Sequence, residues 1–442
     1  MEAAPLSPEV FDRLMAACGP FPASPRLACA LSGGPDSLAL LLCLRAWAAT
    51  RDGHLVALTV DHGLRPGSAE EAGRVATLCG RLGVEHRILV WRGDKPRGAV
   101  QRAAREARYR LLQEACHTEG LGHLLLAHHR DDQAETVVLR LLAGSGPFGL
   151  AAMPLTAELG GLRLLRPLLP VGKARLRATV AAAGLPAEED PSNRDPRHRR
   201  IAVRLQRDRL EAAGLTAERL GDVAAAFGRL RRCWDDEIAR LLDELVVVAP
   251  GGWAEVDPAG LLALPLRARA LLLARLLQAI GGGRYPPSPG VVETLARALA
   301  EEGPRTRSAG GCLVGRWRGR LVVAAEARGA AARPLVPGER FLWRGRFAVT
   351  DRRTGRLAER PLVLRGLRQG DWGILPPATR ERVPPLARHG LPALYDLDGL
   401  WAVPHLTFWK DASAAGATEM LFRPRQPLLP VAFTPVRRES HT

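Results

Sequence analysis

Lysine is scarce in this chain. Of 63 basic side chains in 442 residues, only Lys95, Lys173 and Lys410 are lysines, and the rest are arginine. Cysteine is thin as well: Cys18, Cys29, Cys43, Cys79, Cys116, Cys233 and Cys312 are dispersed, odd in number and include no CxxC. That argues against a disulfide scaffold, a zinc site or an iron–sulfur cluster, and fits a reducing cytoplasm. No apolar run reaches the ~18 residues a membrane span needs. The opening MEAAPLSPEVFDRL has no basic stretch followed by an apolar one, so secretion is not expected either. With 47% hydrophobic and 25% charged residues, general disorder is excluded. What is present in excess is positive charge, a formal +17. An arginine-for-lysine preference explains the choice of base but not the surplus over acids. A surplus of this kind attracts polyanions, so nucleic acid is the expected partner.

The length suggests roughly three domains at about 150 residues each. Through the first 200 residues, apolar runs at Leu27–Leu31, Leu55–Val60, Arg87–Val90 and Leu124–Ala127 read as buried strands. Helical spacing at Ser37–Ala48, Ser68–Leu82 and Val100–Glu119 alternates with them. This predicts a doubly wound α/β domain over 1–214, a parallel sheet with helices on both faces. Ligands of such sheets bind at the carboxyl ends of the strands. A mostly helical domain is expected over 215–329, with a hairpin of Leu313–Arg316 and Leu321–Ala325. A linker at Ala330–Pro337 would lead to a small α+β domain over 338–442. The oligomeric state is left open, a homodimer included.

The sharpest motif is Ser32-Gly33-Gly34-Pro35-Asp36-Ser37, between a predicted strand and a predicted helix. Two glycines let backbone approach a phosphate without a Cβ clash, and the helix start supplies free N–H groups. Asp36 is the candidate ligand for Mg²⁺ against those phosphates. No Gly-Lys-Ser/Thr follows, so this is not a Walker A loop. A second string, Thr59-Val60-Asp61-His62-Gly63-Leu64-Arg65, ends the second strand; Val60, Asp61 and His62 are candidate adenine-nucleotide neighbours, although Asp61 is equally readable as a turn residue and His62 by itself reads more readily as a structural histidine. A third, His128-His129-Arg130-Asp131-Asp132-Gln133-Ala134-Glu135-Thr136, enters a helix. Its Asp132 and Glu135, three apart, share one face and suit an ammonium group or a metal held with His128 and His129. Arg105 and Arg108 likewise share a face and can meet one anion, although Arg105 by itself reads better as part of a solvated, salt-bridged helix face. Glu189-Asp190-Pro191-Ser192-Asn193 precedes Arg194, Arg197, Arg199, Arg200 and Arg204, a basic run suited to folding over ATP or gripping RNA.

The SGGPDS loop resembles that of the N-type ATP pyrophosphatases, with their adenine nucleotide alpha-hydrolase-like fold. The strings VDHGLR, HHxxDxAET, ARxxRY and DPSN resemble the tRNA(Ile)-lysidine synthetases specifically, over about residues 26–205. The resemblance departs at Ile201 and at Ala143, where that family usually has asparagine and arginine. It implies ATP-dependent attachment of L-lysine to C2 of the wobble cytidine (position 34) of tRNA(Ile) with a CAU anticodon, through an adenylated cytidine, releasing AMP and pyrophosphate. It implies Ser32–Ser37, Val60, Asp61, His62, Arg200 and Arg204 at ATP and Mg²⁺, and His128, Asp132 and Glu135 at lysine. Arg108 falls at a phosphate or at the lysine carboxylate, and Asp36, Arg108, Asp132 and Glu135 form the catalytic set. The alternative is another tRNA-modifying member of the superfamily, a cytidine thiolase, but those carry paired cysteines. The strings around Gly370, Pro384 and Tyr395–Pro404 resemble the tRNA-engaging C-terminal domain of the longer members. Trp372, Tyr395 and Trp401 are there either base-stacking or core residues.

Overall fold

A computed structural model describes residues 3–64, 67–93, 95, 100–159, 161–185, 199–301, 305–326 and 332–429. By contacts the chain forms two compact units, within Met1–Trp234 and within Asp235–Val431. No helix among the described residues is long and apolar enough to cross a membrane.

In the first unit the elements run α1 (Pro8–Ala16), β1 (Arg26–Ala30), α2 (Pro35–Ala49), β2 (His54–Asp61), α3 (Ser68–Arg81), β3 (Glu85–Val90), α4 (Val100–Thr118) and β4 (His123–Leu125). Then come α5 (Arg130–Leu142), α6 (Pro147–Leu150), β5 (Thr156–Leu159), β6 (Leu162–Leu165), α7 (Lys173–Ala182), α8 (Arg199–Leu205) and α9 (Arg207–Ala212). The long α10 (Ala217–Leu245) runs on into the second unit. The sheet order is β3-β2-β1-β4-β6-β5, parallel except for the antiparallel edge strand β5. Alternate residues of each strand feed opposite layers. Leu27, Cys29, Leu55 and Ala57 pack with α1, α2 and α7 residues, while Ala28, Val56 and Leu58 pack with Leu112 and Cys116 of α4. Burial on both faces explains why β1 and β2 read as continuous apolar runs rather than alternating ones; the edge strand β3, expected to be buried over Arg87–Val90, is instead largely exposed, Ile88 and Val90 included, because it has a neighbouring strand on one side only. The β5–β6 hairpin lies outside the sequence reading. From β1 the chain winds to β2 on one side, and β4 lies on the other, with Cys29 opposite Leu125. The carboxyl ends of β1 and β4 therefore flank the switch point where doubly wound sheets bind ligands.

In the second unit β7 (Val246–Val248) and β8 (Ala254–Val256) precede the helices α11 (Pro258–Ala263), α12 (Leu266–Gly281) and α13 (Pro289–Ala298). β9 (Arg307–Ala309) is followed by the expected hairpin, β10 (Cys312–Trp317) with β11 (Arg320–Ala325), and these strands make a five-stranded antiparallel sheet in the order β7-β8-β11-β10-β9. β12 (Arg333–Pro334) lies inside the stretch read as a linker. It starts a second five-stranded sheet with β15 (Val363–Gly366), β16 (Pro392–Asp396), β17 (Gly399–Val403) and β18 (Phe408–Trp409). A three-stranded sheet joins β13 (Arg340–Trp343), β14 (Phe347–Asp351) and β19 (Thr418–Phe422). Trp401 and Tyr395 are buried, so both are core residues here, whereas Trp372 is half-buried under Arg388.

Candidate active site

The loop after β1 is built as its residues require. Gly33 adopts φ +83°, and a Cβ there would come within 2.8 Å of Val75 Cγ2. Pro35 opens α2, whose N-cap, Gly34, brings no capping side chain. The first-turn N–H groups are thus left without intrahelical acceptors. The Ser37 hydroxyl donates to Gly34 O at 2.9 Å, accepts from Ser32 N at 3.2 Å and lies 3.1 Å from Ser32 Oγ. That bracing fixes the loop as a cradle of backbone donors at a positive helix end, suited to phosphate.

Across the switch point, β4 ends at Leu125, and the chain passes through His128 and His129 into α5, whose N-cap is His129. Buried His129 links the two sides: Nε2 is 3.3 Å from Asp36 Oδ2 and 3.5 Å from Asp132 Oδ2, and Nδ1 is 3.5 Å from Asp131 Oδ2. Burial alone would depress its pKa, but Asp131, Asp36 and Asp132 outweigh burial and raise it to about 10. His129 is therefore a buried imidazolium held by three carboxylates, a role that the HH dipeptide does not reveal. Asp36 Oδ1 is buried with no hydrogen-bond partner among the described residues.

Asp132 and Glu135 do share a face. Asp132 Oδ2 accepts from the His129 backbone N–H at 3.1 Å, bracing the helix start. Glu135 is buried, and Arg204 of α8 grips it with two bonds, Nε at 2.7 Å and Nη2 at 3.2 Å. Arg200 donates to the Thr136 hydroxyl at 2.9 Å and lies 3.5 Å from Glu135. Burial pushes Glu135 above the usual carboxylate range despite these arginines. Both arginines are thus placed on α5 carboxylate and hydroxyl groups, and Arg207 adds a 2.8 Å pair to Asp131.

The remaining expected residues flank this centre. Asp61 closes its own turn by accepting from Gly63 N at 2.8 Å. Beside it, half-buried Val60 is the penultimate residue of β2, and His62 stands edge-on to Trp91, its pKa lowered by burial and by Arg108. Arg108 is also among the charges acting on His128. Burial and then Arg166 push His128 down to about 3, against the pull of Asp132, so it is neutral where its neighbour is charged. Arg166 is a residue the sequence reading missed; its only signal was an arginine directly after an apolar strand, Leu162–Leu165. Arg65, Glu189–Asn193, Arg194 and Arg197 lie outside the described residues. Among the described residues no group of three or more His, Cys, Asp or Glu is arranged to hold a metal.

A family profile described as "PP-loop domain" matches residues 7–207. The chain is 46% identical over 308 residues to the tRNA(Ile)-lysidine synthase of Methylobacterium sp. (strain 4-46), covering 67% of this chain and 88% of the relative. It is 43% identical over 305 residues to the enzyme of that name from Bradyrhizobium sp. (strain BTAi1), covering 67% and 84%. Among solved structures, the U34-tRNA thiolase NcsA from Methanococcus maripaludis with its 4Fe-4S cluster is similar at 19% identity and TM-score 0.43, over 50% of this chain and 78% of that one.

Proposed function

This chain belongs to the tRNA(Ile)-lysidine synthase family, and we propose that it attaches L-lysine to C2 of the wobble cytidine of a CAU-anticodon tRNA(Ile) at the expense of ATP. The observation that carries this reading is the 3.3 Å approach of Asp36 in the phosphate loop to His129 at the head of the acidic helix. It brings an anion-binding cradle and an acid cluster to one switch point, as adenylation of an oxygen followed by attack of an amine requires.

In this reading the C2 carbonyl oxygen of cytidine attacks the α-phosphorus of ATP, and pyrophosphate leaves. The lysine ε-amine then attacks C2, and AMP departs with the oxygen. A urea-like oxygen is a poor leaving group, so adenylation must come first. The Gly33–Ser37 loop holds the phosphates through backbone N–H groups. The orphaned, buried Oδ1 of Asp36 fits a Mg²⁺ held by one carboxylate and by phosphate oxygens, which suits an ion that keeps most of its waters. When bound, such an ion neutralises phosphate charge. Asp132 and Glu135 orient the lysine ammonium, and neutral His128 adds no repulsion. Because Glu135 is held by Arg204, lysine binding in this reading shifts that guanidinium.

A cytidine thiolase would need thiols free to carry sulfur. Cys18, Cys29, Cys79, Cys116 and Cys312 are buried core residues, Cys43 is half-buried, and the exposed Cys233 belongs to no CxxC pair, which disfavours it. The test measures pyrophosphate, AMP and lysine incorporation with each substrate omitted in turn. Pyrophosphate release should need tRNA, and AMP release should need lysine as well. Pyrophosphate release indifferent to tRNA would sink the reading.

A further inference from the structure

The guanidinium groups of α8 and α9 occupy the acids that an incoming ammonium needs. Arg204 donates to one oxygen of Glu135 from Nε at 2.7 Å and to the other from Nη2 at 3.2 Å. Arg200 Nε stands 3.5 Å from the same carboxylate, and Arg207 pairs with Asp131 at 2.8 Å. Glu135 is 7% exposed and both its oxygens are taken, so an ammonium reaches it only where the guanidinium withdraws.

Packing holds α8 only lightly. Of its seven residues Ile201 and Val203 are buried, and Leu205 is 62% exposed. Against it lies a cavity of about 70 Å³, with Val138, Val203, Leu210 and Leu220 on its apolar side and Glu135 and Arg204 on its polar side. Side chains facing unfilled space lose contacts there, so the ion pairs carry much of the attachment to α5. Asp36 of the phosphate loop is the next charge after Glu135 and Asp132 to act on Arg204, which puts this guanidinium within electrostatic reach of the cradle.

We propose that Arg204 is an autoinhibitory latch: without substrates its guanidinium stands in for the substrate ammonium on Glu135, and it transfers to the phosphates of ATP as the ammonium enters. The latch deepens the function proposed above and rests on it. Lysine alone displaces a guanidinium that then has no anion to receive it. ATP alone draws the guanidinium away and leaves Glu135 buried and bare, the costly way to lose a hydrogen bond to a charged group. With both ligands bound, each cation has its anion, and a guanidinium fork matches phosphate as well as carboxylate. ATP and lysine therefore bind with positive coupling, equal in both directions by linkage.

The test is calorimetric binding to the full chain without tRNA: Kd for L-lysine and for an ATP analogue with a non-cleavable α–β bridge, each alone and beside the other. In the parent each ligand should tighten the other by about fivefold or more. Arg204→Gln should bind lysine alone more tightly than the parent by about that factor, the opposite of what losing a substrate ligand or local structure does, and the coupling should vanish. Glu135→Gln opens the latch from the other side. It should bind the analogue alone more tightly, and adding Arg204→Gln should abolish that gain, whereas the mere loss of a negative charge would preserve it. A lysine Kd unchanged or raised in folded Arg204→Gln, or a gain that survives in the double variant, overturns the latch. The function fails separately, in the pyrophosphate and lysine-incorporation assay, and the Glu135→Gln arm needs neither amine nor turnover, so it decides the latch even then.

Discussion

Asp36 has two oxygens with different surroundings: Oδ2 faces a buried imidazolium, and Oδ1 has no hydrogen-bond partner among the described residues. Asp36→Asn keeps the shape and removes the charge that both the imidazolium and a cation require. We expect pyrophosphate release to fall by about 10²-fold or more, the usual cost of losing one charge-stabilising group, with the fold retained but its thermal unfolding somewhat earlier, since the His129 imidazolium loses one of its three carboxylates. Turnover near the parent level at moderate Mg²⁺ would remove Asp36 from the catalytic set. The neighbouring histidines differ in sign of shift, and His128 gives a separate test. Its pKa in the folded chain is about 3, lowered first by burial and then by Arg166, below an unfolded value of about 6.5. Between those values only the unfolded chain takes up the proton, so stability falls as pH drops from 6.5 toward 3. His128→Gln should therefore lose less stability than the parent between pH 7 and 5 in urea titrations. Equal losses would place His128 in a more hydrated setting.

At the scale of elements, the joint between β1 and α2 is the most constrained. Gly33→Ala puts a side chain at φ +83° and 2.8 Å from Val75. It should cost about 1–3 kcal/mol in unfolding free energy and weaken ATP binding together, because the strain sits in the phosphate cradle itself. A second contact joins α8 to α5. Arg204→Ala leaves the Glu135 carboxylate buried without its two-bond partner, at a cost of about 1–3 kcal/mol, and adding Glu135→Gln should recover part of it. Additive losses in the cycle would mean the pair is not coupled. These contacts mark the limit of what the sequence conveys. The strands and helices around the switch point were readable because burial on both faces leaves long apolar runs, and the loop because its glycines and proline have few other uses. The acid pair on α5 followed from spacing alone. The β5–β6 hairpin was not readable, as its strands have four residues each; nor were β7, β8 and β9, with three each. The partners of Arg200 and Arg204 were hidden for another reason: a charge run shows how many guanidinium groups there are, but Glu135 is 69 residues from Arg204.

For the whole molecule, the +17 charge does not act as one field. Arg200, Arg204 and Arg207 lie against Glu135, Thr136 and Asp131, and a cation already neutralised within the fold releases few counterions on meeting RNA. The second unit carries a different kind of arginine. Arg365 and Arg368 lie over Tyr395, and Arg388 lies 4.7 Å from the Trp372 ring centroid, with no carboxylate in ion-pair distance among the described residues. Exposed or half-buried guanidinium groups of this sort are available to phosphates. The log–log dependence of tRNA affinity on salt should therefore come mainly from such residues, with a slope of about −0.7 to −0.9 per phosphate contact. Replacing Arg200 and Arg204 together should impair lysidine formation and leave that slope almost intact. Replacing Arg365, Arg368 and Arg388 with glutamine should flatten it by about two units, while ATP and lysine KM values stay at the parent level. The measurement is tRNA Kd across a salt series for both variants, alongside single-turnover lysidine formation. A slope unchanged in the second variant and flattened in the first would move the tRNA backbone from the second unit to the arginines of α8.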